Sequence, residues 1–550
     1  MSIRSGTLRT FIRQNKLVNY APIIVRGLHN ERQGDREHRY NNYKKYSEVT
    51  TMALLGSVLI GSAMTEQIEN KNKRNDCKEV EAGKKRPDLP TYRAEEVSKH
   101  NTIDNFWVTY KEGVYDVTKF LPSHPGGEQI LNAGGLSIEP FWNVYGMHNT
   151  TEVHALLEKY RIGNLHSDDI VDHSDESMWA QEPARDARLR VKTRRPFNAE
   201  TPPEHLVASL DTPNELFYVR QHMPVPECEA QTHSVCVVTG AVRRRFSLTD
   251  LNRFPIVTMR ATLMCAGNRR TDMNKVKQVK GIAWTTGAIG TAVWTGVLLR
   301  DVLLQCGVDE SDVEGKHVIL EGADIDATGV KFSTSIPLHQ ALDRNARVLL
   351  ATHMNGEPLP PDHGAPLRAV VPGAPAVRSV KWLDTIRVST EESESHWHRK
   401  DYRSFNPSVT WETADFERAP PLYSLPVTSA ICVPGDGDTV PVTAGHIRVE
   451  GYAYSGGGAA ILRVDVSCDG GASWREARPA ARDAAPPRAH YAWTLWQADV
   501  PVRSGQTEVE IWVKATDTNL NTQPENFEHI WNIRGLLSNA YHKIKVQLQH

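Results

Sequence analysis

The stretch Tyr115-Asp-Val-Thr-Lys-Phe-Leu-Pro-Ser-His-Pro-Gly-Gly127 places His124 directly before a proline and two glycines. The proline fixes the backbone after the histidine, and the glycines allow a tight turn close to a flat ligand. A second histidine, His148, follows in Phe141-Trp-Asn-Val-Tyr-Gly-Met-His148. Two imidazoles on opposite walls of an apolar slot would fill both axial positions of a haem iron, and such an iron transfers electrons rather than activating oxygen. The pattern therefore favours a haem held by His124 and His148 over two surface turn histidines.

This segment resembles a cytochrome b5 domain over residues 91–166, including the Tyr-Asp-Val-Thr-Lys-Phe strand and turn before His124. The resemblance implies an α+β domain that binds haem b. Residues 91–166 contain nine acidic and six basic side chains, a net charge of −3. That charge favours docking to a cationic pocket and to a basic electron acceptor.

A second motif, Leu263-Met-Cys-Ala-Gly-Asn-Arg-Arg270, places Cys265 close to two arginines. A thiolate is a soft ligand suited to redox metals, and nearby guanidinium groups favour the deprotonated form. Arginines also bind oxyanions through bidentate hydrogen bonds. A single cysteine is more often a buried, inert side chain, which is how we interpret the other six.

The context of Cys265 favours metal ligation. Cys-Ala-Gly-Asn-Arg resembles the molybdenum-ligating signature of the sulfite oxidase family, which includes the eukaryotic nitrate reductases. The resemblance runs from Phe197 to the C-terminus, and the N-terminal haem domain brings the chain closest to the animal members. The other matching segments are Pro196-Phe-Asn-Ala-Glu200, Phe217-Tyr-Val-Arg-Gln-His222, Val279-Lys-Gly-Ile-Ala-Trp284, Met354-Asn-Gly-Glu-Pro-Leu-Pro360, Asp362-His-Gly-Ala-Pro-Leu-Arg368, Val380-Lys-Trp382 and Trp531-Asn-Ile-Arg-Gly-Leu-Leu-Ser-Asn-Ala540.

The resemblance implies a molybdenum–molybdopterin cofactor, with Cys265 as the protein ligand of the metal. The positions that match cofactor-binding residues of the family are Tyr218, Val219, Arg220, Gln221, His222, Asp324, His363, Arg368, Ser379, Val380 and Lys381. The positions that match its substrate pocket are Arg220, Arg270 and Arg534, with Trp284 as an apolar wall and Tyr402 near the metal. A site for a small dianion has to concentrate positive charge, which three arginines would do.

The implied reaction is the oxidation of sulfite to sulfate, with electrons passing one at a time through the haem to cytochrome c. A nitrate reductase would use the same metal ligand, but in the eukaryotic enzymes the haem domain follows the molybdenum domain and precedes a flavin domain. No nucleotide-binding segment follows residue 391 here. A non-catalytic b5-type electron carrier is the other alternative, and loss of Cys265 or of the arginines would have favoured it.

The rest of the chain predicts two further domains. Residues 197–390 are rich in apolar residues with Gly and Pro punctuation, as in a mixed α/β molybdopterin-binding catalytic domain. Within residues 391–550, Leu462, Val464 and Val466 alternate with polar residues. This period of two predicts an all-β, immunoglobulin-like sandwich. The region resembles the dimerisation domain of the family, which implies a homodimer.

The N-terminal residues 1–65 are predicted to target the chain to mitochondria. Residues 1–30 contain five basic and no acidic side chains, as a presequence does, although a disordered basic tail is the alternative. The uncharged stretch Val49–Thr65 is short for a bilayer span, which needs about 20 apolar residues. We expect it to act as a sorting signal whose cleavage releases the protein into the intermembrane space without a stable membrane anchor, and a retained anchor is the alternative.

Two charged segments separate the predicted domains. Residues 66–90 are polar and end in prolines, as in a linker. Residues 167–196 are predicted to be a hinge, because residues 167–182 contain six acidic and no basic side chains and residues 184–195 contain six basic side chains and one acidic. Such blocks are typical of solvated linkers.

The overall composition limits the class of protein. The chain has 550 residues, enough for three or four domains of roughly 100–200 residues each. A formal net charge of −2 excludes a globally basic nucleic-acid binder. Seven cysteines without a CxxC pair exclude a disulfide scaffold, a zinc ribbon and a thioredoxin-like redox motif.

Overall fold

The computed structural model describes residues 81–124, 127–144, 148–171, 179, 182–326, 329–486 and 488–550. The predicted targeting segment at residues 1–65 and most of the predicted linker lie outside these residues. Within them, no helix is both long enough and apolar enough to cross a membrane.

The region that contains the two candidate haem histidines is built on a five-stranded sheet in the order β1-β5-β4-β3-β2. Its elements are β1 (Thr91–Tyr92), α1 (Ala94–Val97), β2 (Asn101–Thr102), β3 (Asn105–Tyr110), β4 (Gly113–Asp116), α2 (Glu139–Val144), α3 (Thr151–Glu158) and β5 (Arg161–Leu165). Two 3-10 helices, Thr118–Ser123 and Gly127–Ala133, lie before and after His124 in the sequence. The core of this region is aromatic and aliphatic, with Phe106, Tyr115 and Trp142 among its buried members.

The middle of the chain contains three sheets and only short helices. The elements are β6 (Arg190–Arg194), β7 (Phe197–Glu200), α4 (Pro203–Leu206), β8 (Val219–Arg220), β9 (Ser234–Thr239), β10 (Val242–Ser247), α5 (Leu248–Leu251), β11 (Ile256–Met264), α6 (Arg270–Met273), β12 (Ile289–Leu298), α7 (Leu299–Gln305), β13 (His317–Ile325), β14 (Lys331–Pro337), α8 (Leu338–Leu342), β15 (Leu349–Met354), β16 (Glu357–Pro358), β17 (Arg368–Val370) and β18 (Leu383–Ser389). The sheet orders are β6-β7-β8, β10-β9-β18-β13-β14 and β11-β12-β15-β16, with β17 paired to β15.

Several candidate site residues lie at the ends of strands. β11 pairs antiparallel with β12 along its whole length, from Ile256 opposite Val297 to Met264 opposite Ile289. Cys265 is therefore the first residue beyond a long, well-paired strand, and its N–H still donates to the carbonyl of Ala288 at 2.9 Å. In the same way β8 carries part of the Tyr218–His222 segment.

The C-terminal region consists of two packed sheets, as predicted. Its strands are β19 (Thr428–Val433), β20 (Thr439–Pro441), β21 (His446–Tyr454), β22 (Ile461–Ser467), β23 (Arg475–Glu476), β24 (Arg478–Arg482), β25 (Thr494–Pro501), β26 (Glu508–Asp517) and β27 (His542–Gln549). The orders are β19-β21-β25-β24 and β20-β27-β26-β22-β23. Val464 and Val466 are buried between the sheets, but Leu462 is 51% exposed. A register shift between Ile461 and Arg463 interrupts the alternation, which turns Leu462 out of the core.

The predicted hinge at residues 167–196 has ordered structure at both ends. Residues Ser167–Asp169 form a 3-10 turn, and Arg93 reaches Asp169 at 2.9 Å. At the other end, β6 pairs with β7. Residues 172–178 and 180–181 in its middle lie outside the described part of the chain.

Candidate functional site

The two candidate haem ligands face each other across a gap. The ring centroids of His124 and His148 are 6.1 Å apart, and the ring planes differ by 6°. This separation is too wide for direct ring contact. Two metal–imidazole bonds of about 2 Å each, together with half of each ring, would span it. Phe120 lies edge-on to His124 at 5.9 Å and Trp142 lies 5.4 Å from His148, so an aromatic ring packs beside each imidazole.

Cys265 lies in a buried cluster in the middle region. Its side chain is packed with Tyr218, Leu263 and Trp284, and the residue is 5% exposed. The N–H of Gly267 points at its sulfur at 3.4 Å. No group of three or more metal-ligating side chains exists in the described chain, so a metal at Cys265 would take its other ligands from a cofactor.

Arg270 is buried close to this cysteine and is held by backbone groups alone. Its Nη1 donates to the carbonyl of Ile282 at 2.9 Å. Three glycines surround the side chain: a Cβ at Gly267, Gly281 or Gly535 would lie 2.6–2.8 Å from its atoms. Because burial penalises the charge, the pKa of Arg270 is lowered. The arrangement fixes a buried guanidinium while leaving its charge uncompensated by a carboxylate.

The other two candidate substrate arginines have different partners. Arg220 donates to Asn198 Oδ1 at 3.2 Å and to the backbone carbonyl of Gln221. Arg534 forms an ion pair with Asp401 and donates from Nε to its backbone carbonyl at 3.2 Å. Burial opposes the charge of Asp401, but Arg534 and His396 hold the pKa of that carboxyl well below its usual range. Of the three arginines, only Arg534 is therefore neutralised by a side chain of the described chain.

A pocket lies beside Cys265 and collects most of the predicted cofactor positions. The described residues that line it are Phe217, Tyr218, Arg220, Gln221, His222, Leu263, Cys265, Asp324, Phe332, Asp362, His363, Arg368, Ala376, Val377, Ser379, Val380, Lys381, Trp382 and Tyr402. They come from seven separate segments of the sequence, which include the ends of β8, β11 and β13 and the residues just before β18.

The polar groups of this pocket fit an anionic, hydrogen-bonding cofactor. Arg368 is completely bonded to backbone, with Nη1 on the carbonyl of His363 at 2.8 Å and Nη2 on that of Ser379 at 2.9 Å. No described carboxylate pairs with it. Two buried acceptors, Gln221 Oε1 and Asp324 Oδ1, have no hydrogen-bond partner in the described part of the chain. Since buried polar atoms are nearly always satisfied, this combination of cations and unpaired acceptors indicates a site built for a phosphate-bearing group with N–H donors.

Burial also sets the charge state of the histidines. Burial and the charge of Arg220 hold the pKa of His222 well below its usual value. Burial lowers the pKa of His363 to about 4. Both imidazoles are therefore neutral at pH 7, and His222 Nε2 lies 3.3 Å from the phenol oxygen of Tyr402. Burial raises the pKa of Tyr402 as well, so that its phenol keeps its proton.

Burial shifts the pKa values of two further pocket residues, Lys381 and Asp324, in opposite directions. Burial lowers the pKa of Lys381 to about 7, and burial raises the pKa of Asp324 to about 7. A glycine makes room for the carboxyl, because a Cβ at Gly322 would lie 2.3 Å from Asp324 Oδ1. The pair lies at the ends of β13 and β18.

Four predicted site residues do not line the pocket. Arg270 and Arg534 lie beyond Cys265, and Trp284 is fully buried in the Cys265 cluster. The Val219 side chain packs into a separate core with Leu189. The pocket is also lined by residues that were not predicted as site residues from the sequence, chiefly Phe217, Phe332, Asp362 and Trp382. The position of Asp362 directly before His363 was the one signal available for it.

Comparison with known families assigns each region. A cytochrome b5-like heme/steroid binding domain matches residues 93–166, and an oxidoreductase molybdopterin binding domain matches residues 222–397. A Mo-co oxidoreductase dimerisation domain matches residues 419–549. The three matches confirm the predicted multidomain fold class and the two predicted cofactors, haem and molybdopterin.

Whole-chain relatives agree with this assignment. The chain is 50% identical over 471 residues to the mitochondrial sulfite oxidase of Drosophila melanogaster, covering 84% of this chain and 82% of the relative. It is 48% identical over 461 residues to the human mitochondrial sulfite oxidase, covering 83% and 84%. Its fold is similar to the crystal structure of the sulfane dehydrogenase SoxCD from Paracoccus pantotrophus, with a TM-score of 0.52 and 28% identity over 63% of this chain and 83% of that one. With a haem-binding domain, a molybdopterin-binding domain and relatives of nearly half identity across most of its length, this chain belongs to the sulfite oxidase family.

Proposed function

We propose that this chain oxidises sulfite to sulfate and passes the electrons one at a time through its haem to cytochrome c. The balanced reaction is SO₃²⁻ + H₂O → SO₄²⁻ + 2H⁺ + 2e⁻. The observation that carries the proposal is Arg270, a buried guanidinium beside Cys265 that is fixed by backbone carbonyls and has no carboxylate partner among the residues that the structure describes. A buried charge without a counterion is costly, and a dianionic substrate would supply the missing negative charge.

The pocket residues have separable roles in this proposal. Cys265 holds the metal, and Arg368, Lys381, His363 and Ser379 bind the phosphate end of the cofactor. When bound, the molybdenum cofactor supplies oxygen-atom transfer and accepts the two electrons. The pterin is contacted or hydrogen-bonded by Tyr218, Val380, Gln221 and Asp324. Val219 holds β8 in place through its packing in a separate core.

The substrate is bound by the three candidate arginines and the residues around them. Arg220, Arg270 and Arg534 bind the oxyanion, and charge-assisted hydrogen bonds from three sides favour a small dianion over neutral molecules. Trp284 closes the apolar side and helps to exclude water. Tyr402, protonated at pH 7, offers a hydrogen-bond donor, and neutral His222 can accept that hydrogen bond when the phenol turns away from the substrate.

The haem domain completes the path. His124 and His148 would hold the haem iron between them, and the haem would supply one-electron transfer. The acidic haem domain favours docking both to the cationic pocket and to a basic acceptor such as cytochrome c. The names of the relatives place those proteins in mitochondria. For this chain we propose the intermembrane space after removal of residues 1–65, a homodimer through residues 391–550, and the predicted domain boundaries.

Steady-state kinetics with purified protein test the proposal. Sulfite as the donor and ferricytochrome c as the acceptor should give turnover that requires molybdenum and haem. Nitrate with a reduced dye should give none above background. Nitrate turnover without sulfite turnover would overturn the proposal in favour of a nitrate reductase, and turnover of neither by fully loaded protein would favour a non-catalytic electron carrier.

A further inference from the structure

Arg185, in the segment that joins the haem and molybdopterin domains, forms a two-pronged ion pair with Asp362. Its Nε donates to Asp362 Oδ2 at 2.9 Å, and its Nη2 donates to Asp362 Oδ1 at 2.8 Å. The side chains are only 12% and 11% exposed. The guanidinium also lies over the ring of Phe197 at 4.0 Å, which fixes its plane.

A second carboxylate bonds the same segment to the loop that follows β8. Glu182 forms an ion pair with Arg185, and its other oxygen accepts from the N–H of Val225 at 3.0 Å. Burial opposes the charge on Arg185, but the two carboxylates raise its pKa. The end of the joining segment is therefore anchored behind the pocket, although Arg185 itself does not line it.

Asp362 is the link from this anchor to the cofactor. It lines the pocket, and its Oδ1 accepts from Gln221 Nε2 at 2.6 Å. That bond holds the amide nitrogen of Gln221 against Asp362. The amide oxygen Oε1, which has no hydrogen-bond partner among the described residues, therefore remains available as an acceptor. The backbone carbonyl of Asp362 accepts from Lys381 Nζ at 2.9 Å.

Two cations therefore lie within reach of one buried carboxylate. Arg185 takes both of its oxygens, while Lys381 bonds only the backbone oxygen of the same residue. Were Arg185 neutral, the carboxylate would be a buried charge without a partner, which is strongly unfavourable. Lys381 already bonds the backbone oxygen of Asp362, and its flexible stem would allow the ammonium to turn from the pocket to the carboxylate.

We infer that Arg185 is a positioning residue for the molybdopterin site: it neutralises Asp362 from behind, which keeps Lys381 directed to the cofactor and Gln221 presenting its oxygen. This inference rests on the proposed cofactor role of the pocket but not on the identity of the substrate. It also makes the joining segment a support of the pocket from Glu182 onward.

The test measures retention of molybdenum by full-length holoenzyme in the absence of sulfite. Wild-type protein and variants are held at one temperature after dilution, samples are passed through a desalting column, and bound molybdenum is measured by elemental analysis against time. Arg185→Gln is expected to lose molybdenum roughly 10–100-fold faster than wild type, the range seen when a supporting partner of a metal site is removed. Arg185→Lys, which keeps the charge, should stay close to wild type.

The decisive variant is Arg185→Gln combined with Asp362→Asn. An asparagine needs no counterion and its oxygen can still accept from Gln221, so the double variant should retain molybdenum within a few fold of wild type. Arg188→Gln is the matched control, because Arg188 lies three residues away, is half exposed and pairs with Asp186. It should not change retention.

Two results would overturn the inference. One is retention by Arg185→Gln at the wild-type rate. The other is loss by the double variant as fast as by Arg185→Gln alone, which would assign Arg185 a purely structural role in docking the joining segment. If Arg185→Gln does not fold, the double variant and Arg185→Lys still decide between these outcomes. Since no sulfite is present, a failure of the proposed reaction would leave the result unaffected.

Discussion

The Nε atom of Arg270 donates to the backbone carbonyl oxygens of Arg534, at 3.2 Å, and of Gly535, at 3.3 Å. Two candidate substrate arginines that are 264 residues apart in sequence are thereby joined directly. The contact connects the loop after Cys265 with the segment that precedes the last strand. The contact fixes the Arg270 side chain against the backbone of the segment that carries Arg534, as a preorganised binding site requires.

Replacing Arg270 with glutamine should weaken sulfite binding. The substitution removes a positive charge and its charge-assisted hydrogen bonds, so kcat/KM should fall about 10- to 100-fold, mainly through KM. Steady-state kinetics over a range of sulfite concentrations measure the effect. Arg253→Gln is the control, since that side chain is 77% exposed. An unchanged kcat/KM for Arg270→Gln would remove Arg270 from the substrate site.

Replacing Tyr402 with phenylalanine should slow the delivery of electrons to the haem. The change removes the phenol that lies 3.3 Å from His222 Nε2 while it keeps the ring. The rate of haem reduction at saturating sulfite, followed by stopped flow, should fall by up to about tenfold. Tyr423→Phe, which loses a bond to Glu392 instead, should reduce the haem at the normal rate. A Tyr402→Phe protein as fast as wild type would show that the phenol has no part in turnover.

Loss of either haem histidine should stop the reduction of cytochrome c without stopping the oxidation of sulfite. In His124→Gln the six-coordinate iron is lost, so the spectrum should change and cytochrome c reduction should fall to background. Sulfite oxidation with a small artificial acceptor should continue, because the molybdenum pocket is untouched. His154→Gln alters a neighbouring imidazole, 5.5 Å from Trp142, and should leave the spectrum normal. A normal haem spectrum in both His124→Gln and His148→Gln would contradict the ligand assignment.

The stability of the C-terminal region should depend on pH through His542. Burial lowers the pKa of this residue from 6.5 to about 3, and its Nδ1 accepts from the N–H of Ile431 at 3.0 Å. Below pH 6.5 the unfolded chain binds a proton that folded His542 does not, so the free energy of unfolding falls as pH falls, until about pH 3. The slope from this one group is about 1.4 kcal/mol per pH unit.

Denaturant unfolding at a series of pH values measures that slope. His542→Gln keeps an acceptor for Ile431 but cannot be protonated, so the dependence should become shallower by about the amount given above. His339→Gln, at an exposed position, should leave the dependence unchanged. Equal slopes for wild type and His542→Gln would show that His542 is not buried in its neutral form.

The sequence predicted most of the site because the chemistry is concentrated in short motifs. One pocket is lined by Cys265, by residues of the Tyr218–His222 segment and by the segment ending at Lys381. The structure also brings the ring centroids of His124 and His148 to within 6.1 Å of each other. Period-two alternation likewise predicted the two packed sheets at the C-terminus. Such local patterns can be recognised in the sequence without knowledge of the fold.

What the sequence could not show are partners that meet only in three dimensions. Arg185 lies 177 residues before Asp362, in a charged segment that reads as a solvated hinge, and no local pattern marks it as buried. The cradle of Gly267, Gly281 and Gly535 around Arg270 comes from three separate loops. Leu462 fits the alternation of its strand, but a β-bulge reverses its face.

The most direct measurement is an anaerobic absorption spectrum of the purified holoenzyme before and after the addition of sulfite. If sulfite is oxidised at the Cys265 pocket and electrons reach the iron between His124 and His148, the bands of reduced b-type haem should appear without any other reductant. The same protein treated with dithionite gives the full extent of reduction for comparison. A protein with its full content of molybdenum whose haem is reduced by dithionite but not by sulfite would contradict the proposed function.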